Sequence, residues 1–194
     1  TMRRAAVFAS MVFAGLLLGA LAAYLAAPRS GEPLPGGGDF TLSAADGPVA
    51  LAGLRGRLVL IYFGYASCPD VCPTSLALTT AALKELTPAE LERVRVLFIS
   101  VDPGRDTPAK LKQYAGYFHP NITGVTGSPE ALAAVAARYG AAYRMTTVAS
   151  AAGYVVDHSS VTSVVAPDGR LVEQLPHGTA PPDIVAAIRR WLPH

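Results

Sequence analysis

Cysteine is nearly absent from this chain: among 194 residues there are only two. That excludes a stapled scaffold in which several disulfides replace a core. Charge is scarce as well, at 15% of residues with a formal balance of +2. No basic run accompanies that small excess, so the electrostatic footprint of a nucleic-acid binder is missing. Four His and three Met beside the two Cys leave little room for more than one metal site.

What the chain has in quantity is apolar residues, 51% of the total, and they are concentrated at the front. From Ala5 to Ala27 no side chain is charged, with Arg3-Arg4 before the run and Arg29 after it. At about 1.5 Å per residue such a helix reaches across a hydrocarbon core of ~30 Å. The paired arginines would hold the N-terminus in the cytoplasm and export the rest. Residues 1–27 therefore read as a single-pass anchor in the inner (cytoplasmic) membrane, with the C-terminal domain on the periplasmic side. Ala20-Leu21-Ala22 resembles a signal-peptide cleavage site, which is the alternative. Residues 28–38, with Pro33, Pro35 and Gly36-Gly37-Gly38, read as a linker. Residues 39–194 are the right size for one domain with one core.

Within that domain the pattern alternates. Phe40 and Leu42, then Asp46-Gly47, then Val49 and Leu51 predict a hairpin. Leu58 to Phe63 is almost continuously apolar, as for a central strand covered on both faces. A helix is expected from Thr74 to Leu86, and a second central strand from Val94 to Val101. Thr107-Pro108 and Ser128-Pro129 each pair an N-cap with Pro at the first helical position, and Gly140 closes the second of these helices. Ala142–Val148, Ser160–Ala166 and Leu171–Gln174 read as later strands, and Pro182–Leu192 as a closing helix. This order is that of an α/β thioredoxin-like sandwich with an N-terminal hairpin, preceded by one transmembrane helix.

The two cysteines, Cys68 and Cys72, fall where the first central strand gives way to a helix, in Phe63-Gly64-Tyr65-Ala66-Ser67-Cys68-Pro69-Asp70-Val71-Cys72-Pro73. Side chains at i and i+4 on a helical face lie about 5–6 Å apart at Cβ. Two thiols at that spacing either share one soft metal ion or close into a disulfide. A helix N-terminus favours the thiolate that both require. A disulfide over so short a loop adds little chain-entropy stabilisation, so a purely structural bridge is a poor reason for the pair.

Three segments, Phe63-Gly64-Tyr65 through Cys68-Pro69-Asp70-Val71-Cys72-Pro73, Ile99-Ser100-Val101-Asp102-Pro103 through Arg105-Asp106-Thr107-Pro108, and Tyr154-Val155-Val156-Asp157-His158-Ser159, together resemble the Sco/SenC family of membrane-anchored, thioredoxin-fold copper proteins. The resemblance implies copper, as Cu(I) or Cu(II), held by Cys68, Cys72 and His158. Two thiolates and one imidazole suit a three-coordinate site for that metal. It also implies delivery to the binuclear copper site of cytochrome c oxidase, whose copper-bearing subunit would be the partner, with a small copper donor protein upstream. The alternative is a thiol–disulfide reductase in which Cys68 and Cys72 act as the catalytic pair on the oxidase cysteines. A peroxidase is a distant third, its peroxidatic context being missing. Ala66-Ser67 departs from the polar residues usual before the first Cys.

Asp70 and Asp157 are candidates for a supporting layer that orients the His ring or biases the thiolates, with turn roles as the alternative. Asp102, Arg105 and Asp106 are expected to form an internal ion-pair and capping network. Tyr62, Phe63 and Tyr65 are expected as core and pocket wall, and Met145 as packing in a strand. His119, His177 and His194 carry no such context and read as ordinary histidines.

Overall fold

The computed structural model describes residues 34–147 and 154–192. The predicted span 5–27, the first part of the linker and His194 lie outside the described residues. Among the described residues no helix is long and apolar enough to cross a membrane.

The N-terminal hairpin forms as the alternation predicts, from β1 (Thr41–Ala44) and β2 (Gly47–Ala50), with Leu42 opposite Val49. Its turn needs Gly47, whose φ of 121° is open to glycine and strained for other residues. A 3-10 turn, Leu51–Leu54, leads to β3 (Leu58–Gly64). All seven residues of β3 are buried, because β4 (Val94–Ser100) pairs with it in parallel on one side and β8 (Thr162–Val165) antiparallel on the other. Burying each of its large apolar side chains stabilises the fold by roughly 1.5–3 kcal/mol against exposure. β5 (Ile122–Val125) extends the sheet beyond β4, and β9 (Leu171–Leu175) extends it beyond β8, giving the order β5-β4-β3-β8-β9.

The helices follow the caps. α1 runs over Val71–Lys84, three residues earlier than the Thr74 start expected from propensity. Pro73 therefore lies within the first turn, where its missing N–H costs nothing. The short α2 (Pro88–Glu92) is anchored by a reciprocal capping box between Thr87 and Glu90, a signal passed over in the sequence. α3 (Pro108–Phe118) and α4 (Pro129–Arg138) start at Thr107 and Ser128, each hydroxyl accepting a backbone N–H three residues on. Gly140 ends α4 with φ 64°. The closing helix α5 (Pro181–Trp191) packs on α1, and α3 packs on β5.

A second departure decides where the site can be built. β6 (Tyr143–Thr147) pairs with β7 (Tyr154–His158), and this hairpin stands apart from the five-stranded sheet. Tyr143 lies opposite His158 at its base, where Ser159 N donates to the Ala142 carbonyl at 2.8 Å. Met145, expected to pack, is half exposed on β6, since that strand has no second layer over it.

Candidate metal centre

Three elements converge at the C-terminal end of β3. The chain leaves the sheet at Gly64 and turns so that the Cys68 N–H donates to the Tyr65 carbonyl at 3.2 Å. Asp106 fixes this loop from the next connection. Its Oδ2 accepts from Ala66 N and from Ser100 Oγ, both at 2.7 Å, while Oδ1 takes Lys110 Nζ at 2.8 Å. A fully buried carboxylate is tolerated because every lone-pair direction it uses is filled. Asp102, equally buried, pairs with Arg105. The expected capping network is therefore present, and it holds the Cys68 loop against the sheet.

Cys68 precedes the helix and Cys72 sits in its first turn, so the pair straddles the helix start rather than sharing a helical face. Both thiols are free and buried. His158 reaches them from the end of β7, its Nε2 lying 3.1 Å from Cys72 Sγ. The donor atoms of Cys68, Cys72 and His158 all lie within 4.8 Å of one another. Three donors around one ion at metal–ligand lengths of about 2.0–2.3 Å stand about 4 Å apart, so this cluster needs only sub-ångström shifts, the His158–Cys72 pair opening slightly, to take a metal. No other such group occurs among the described residues.

The His158 ring is already set for ligation. Nδ1 lies 3.0 Å from the Ser159 carbonyl, which can only accept, so the proton belongs on Nδ1 and the Nε2 lone pair faces the sulfur. Tyr62 and Tyr65 meet the ring edge-on at centroid distances of 6.1 and 5.9 Å and fix its plane. The orienting role offered to Asp157 in the sequence thus falls to Ser159. Asp157 turns away to accept from Thr146 Oγ1 at 3.1 Å. Asp70 stands at the start of α1 without a side-chain capping bond. Both aspartates line the rim of a cleft of about 300 Å³, whose floor includes Cys68 and His158.

The expected lowering of thiol pKa by the helix N-terminus does not prevail. Burial pushes the Cys72 thiol far up, against the lowering hydrogen bond from the Tyr65 backbone, and the nearby Cys68 raises it further. Tyr62 is raised too, chiefly by its own burial. The other histidines are kept elsewhere. His119 Nδ1 accepts from Asn121 N at 3.1 Å, and His177 Nδ1 lies 3.0 Å from Ser75 Oγ.

Residues 28–193 match the SCO1/SenC family model, which is nearly the whole chain. The chain belongs to the SCO1/SenC family. Its relatives include a SCO2-like protein of Rickettsia felis, 36% identical over 155 residues, which span 79% of this chain and 75% of that one. Among solved structures, copper-bound ScoI of Bradyrhizobium japonicum superposes with a TM-score of 0.73 at 36% identity, covering 80% of this chain and 99% of that one. BsSco, a member of the Sco family of cytochrome c oxidase assembly proteins in which a disulfide switch has been identified, superposes at 0.64 with 28% identity, covering 82% and 94%. The SCO1/SenC chain described here thus has a mixed α/β, thioredoxin-like Sco fold.

Proposed function

We propose that this chain is a copper metallochaperone that holds one copper ion through Cys68, Cys72 and His158 and hands it to the binuclear copper site of cytochrome c oxidase. The observation that carries the reading is the 3.1 Å approach of His158 Nε2 to Cys72 Sγ, with Cys68 completing the donor set within 4.8 Å. Two soft sulfurs and one imidazole match copper in either oxidation state better than they match hard cations. The copper-bound ScoI relative and the oxidase-assembly family of BsSco support the same reading. On this proposal the uncharged segment 5–27 anchors the chain in the inner membrane, with the domain in the periplasm and the oxidase copper subunit within reach.

The second reading, a reductase acting on the oxidase cysteines, draws support from the disulfide switch of BsSco. A disulfide exchanger attacks as thiolate, and burial pushes the Cys72 thiol up, so exchange would have to begin at Cys68. A metal instead displaces the Cys72 proton on binding and uses both sulfurs.

Anaerobic Cu titration of the reduced chain tests the proposal. One equivalent should bind tightly, and the Cu(II) form should show thiolate-to-copper charge-transfer absorption. His158→Ala should lose that absorption and fail to mature the oxidase in cells at limiting copper, while its dithiol still exchanges in vitro. Full oxidase assembly by His158→Ala would replace the chaperone with the reductase.

A further inference from the structure

His158 is delivered by a hairpin that belongs to neither side of the main sheet, so something must hold that hairpin down. β6 and β7 bond to each other along their whole length and make no ladder with β3, β4, β5, β8 or β9. Val156 contributes one buried side chain. Tyr65 meets the backbone of the same residue. His158 itself meets Tyr62 and Tyr65 at one end of β7, and the attachment at the other end is Tyr154.

There the contacts are dense and directional. The Arg105 guanidinium lies over the Tyr154 ring at 3.8 Å and over the Tyr65 ring at 5.6 Å. Its Nη1 donates to the Tyr154 carbonyl at 3.0 Å. Asp102 receives Arg105 Nε on Oδ2 at 2.5 Å and the Tyr154 hydroxyl on Oδ1 at 2.7 Å. Asp102 is completely buried, and its backbone carbonyl accepts from both Arg105 N and Asp106 N. One rigid turn after β4 therefore grips β7 by backbone, ring and hydroxyl at once. The same Asp102–Asp106 turn holds the Cys68 loop through Asp106 and Ala66 N.

The geometry points to a latch: Asp102, Arg105 and Tyr154 dock the β6–β7 hairpin on the body and so set whether His158 stands over the two thiols. With the latch closed, the site offers two sulfurs and a nitrogen. With it open, β7 lifts and the site offers Cys68 and Cys72 alone. Loss of the imidazole is the change that would loosen Cu(II) for transfer, so these three are positioning residues for the third donor. The inference rests on the copper reading for its consequence, though not for the docking itself.

Tyr154→Phe removes the hydroxyl bond to Asp102 and keeps the ring under the guanidinium. Tyr154→Leu removes both. Hydrogen exchange of the full-length apo chain, followed by mass spectrometry, should show amides of 154–158 opening faster in the order wild type, Tyr154→Phe, Tyr154→Leu. From wild type to Tyr154→Leu the change should be about tenfold in all, as for losing a hydrogen bond and a stacked cation together. Amides of β3 and β4 should be unchanged, which separates undocking from global unfolding. Loaded with Cu(II), Tyr154→Leu should surrender the metal to a chelator about tenfold faster, with its charge-transfer and nitrogen hyperfine signals weakened. Cu(I) held by the dithiolate should leave at nearly the wild-type rate. Unchanged exchange at 154–158 in Tyr154→Leu would overturn the latch. So would faster exchange without faster Cu(II) release, because His158 would then be held some other way. If the wild-type chain takes up no copper, the functional reading fails, and the exchange arm still decides the docking.

Discussion

Gly64 offers the sharpest test of how closely the site is packed. A Cβ built on this residue would lie 2.7 Å from Cys72 Sγ, 2.9 Å from Phe98 Cε2 and 3.2 Å from Tyr62 Cε1. Ordinary carbon contacts stand at about 3.5–4.0 Å, so one neighbour must yield by nearly 1 Å. Phe98 is fully buried, stacked on Tyr62 at 6.4 Å and against Tyr114 at 5.3 Å, and has nowhere to go. Cys72 has a single rotatable bond to its sulfur, and turning it carries Sγ away from His158 Nε2. Overpacking of this size costs about 1–3 kcal/mol, and the stiffer unfolded chain of an Ala variant returns roughly 0.4–1 kcal/mol of that. Gly64→Ala should then lower stability by about 1–2 kcal/mol. For a domain of this size that is a fall in Tm of roughly 2–8 °C. Copper should suffer more than stability implies, because the displaced atom is itself a donor. We expect at least a tenfold loss of Cu affinity in a competition titration, alongside the melting curve of the reduced apo chain. An unshifted Tm with wild-type copper affinity would refute the packing argument.

Three further outcomes follow from the same contacts. Cys68→Ser or Cys72→Ser should each abolish tight Cu(I) binding while the apo domain still melts cooperatively, as a chelator competition and a thermal scan would record. Asp106→Ala should strand the Ala66 N–H and Ser100 hydroxyl and cost about 2–3 kcal/mol in urea unfolding, with the Cys68 loop becoming more open to alkylation. Glu90 is held down to about 2 by the hydrogen bond from Arg189 and by the Thr87 backbone. A depressed carboxyl stabilises the fold above its ordinary titration range and loses that contribution as pH falls toward 2. Glu90→Gln keeps the capping box and removes the charge, so it should cost at most ~0.5 kcal/mol at pH 7, with the difference from wild type vanishing in acid.

The sheet and its helices were legible because their signals are local. Leu58–Phe63 could only be a strand covered on both faces, and Thr107-Pro108 and Ser128-Pro129 fixed two helix starts that the structure reproduces to the residue. β5 and β7 were passed over for a common reason. Neither is joined to a second alternating run by a turn signal, as β1 is to β2: β5 contains Gly124, and the partner of β7 is largely exposed and carries no apolar alternation. Without a visible hairpin there was no reason, from the residues alone, for Tyr154 to lie beside Asp102 or for His158 to approach Cys72 across a separation of 86 residues. The family likeness supplied His158, and it supplied neither Ser159 as the group that sets the ring's proton nor the Arg105–Tyr154 stack.

The thiol is the case where the sign of an effect had to be decided by magnitude. A helix N-terminus stabilises an anion by about 0.3–1 kcal/mol at an exposed site, and one pKa unit is about 1.36 kcal/mol. The helix end can therefore lower an exposed thiol by less than one unit, and a partly buried one, where the effect reaches ~2 kcal/mol, by about 1.5 units. Desolvation of a fully buried group works the other way and reaches 3–5 units. Cys72 is 0% exposed, among Tyr62, Tyr65 and the end of β3, so burial wins and the thiol is pushed up. Sequence placed Cys72 correctly at the helix opening and could not show that Gly64 lets the sulfur sink beneath the strand end. The chemical consequence is selective. A protonated, buried sulfur is a poor partner for disulfides and oxidants, which need thiolate and access. A soft cation admitted through the Cys68 side of the cleft displaces the proton and meets two sulfurs and a ring nitrogen already within reach.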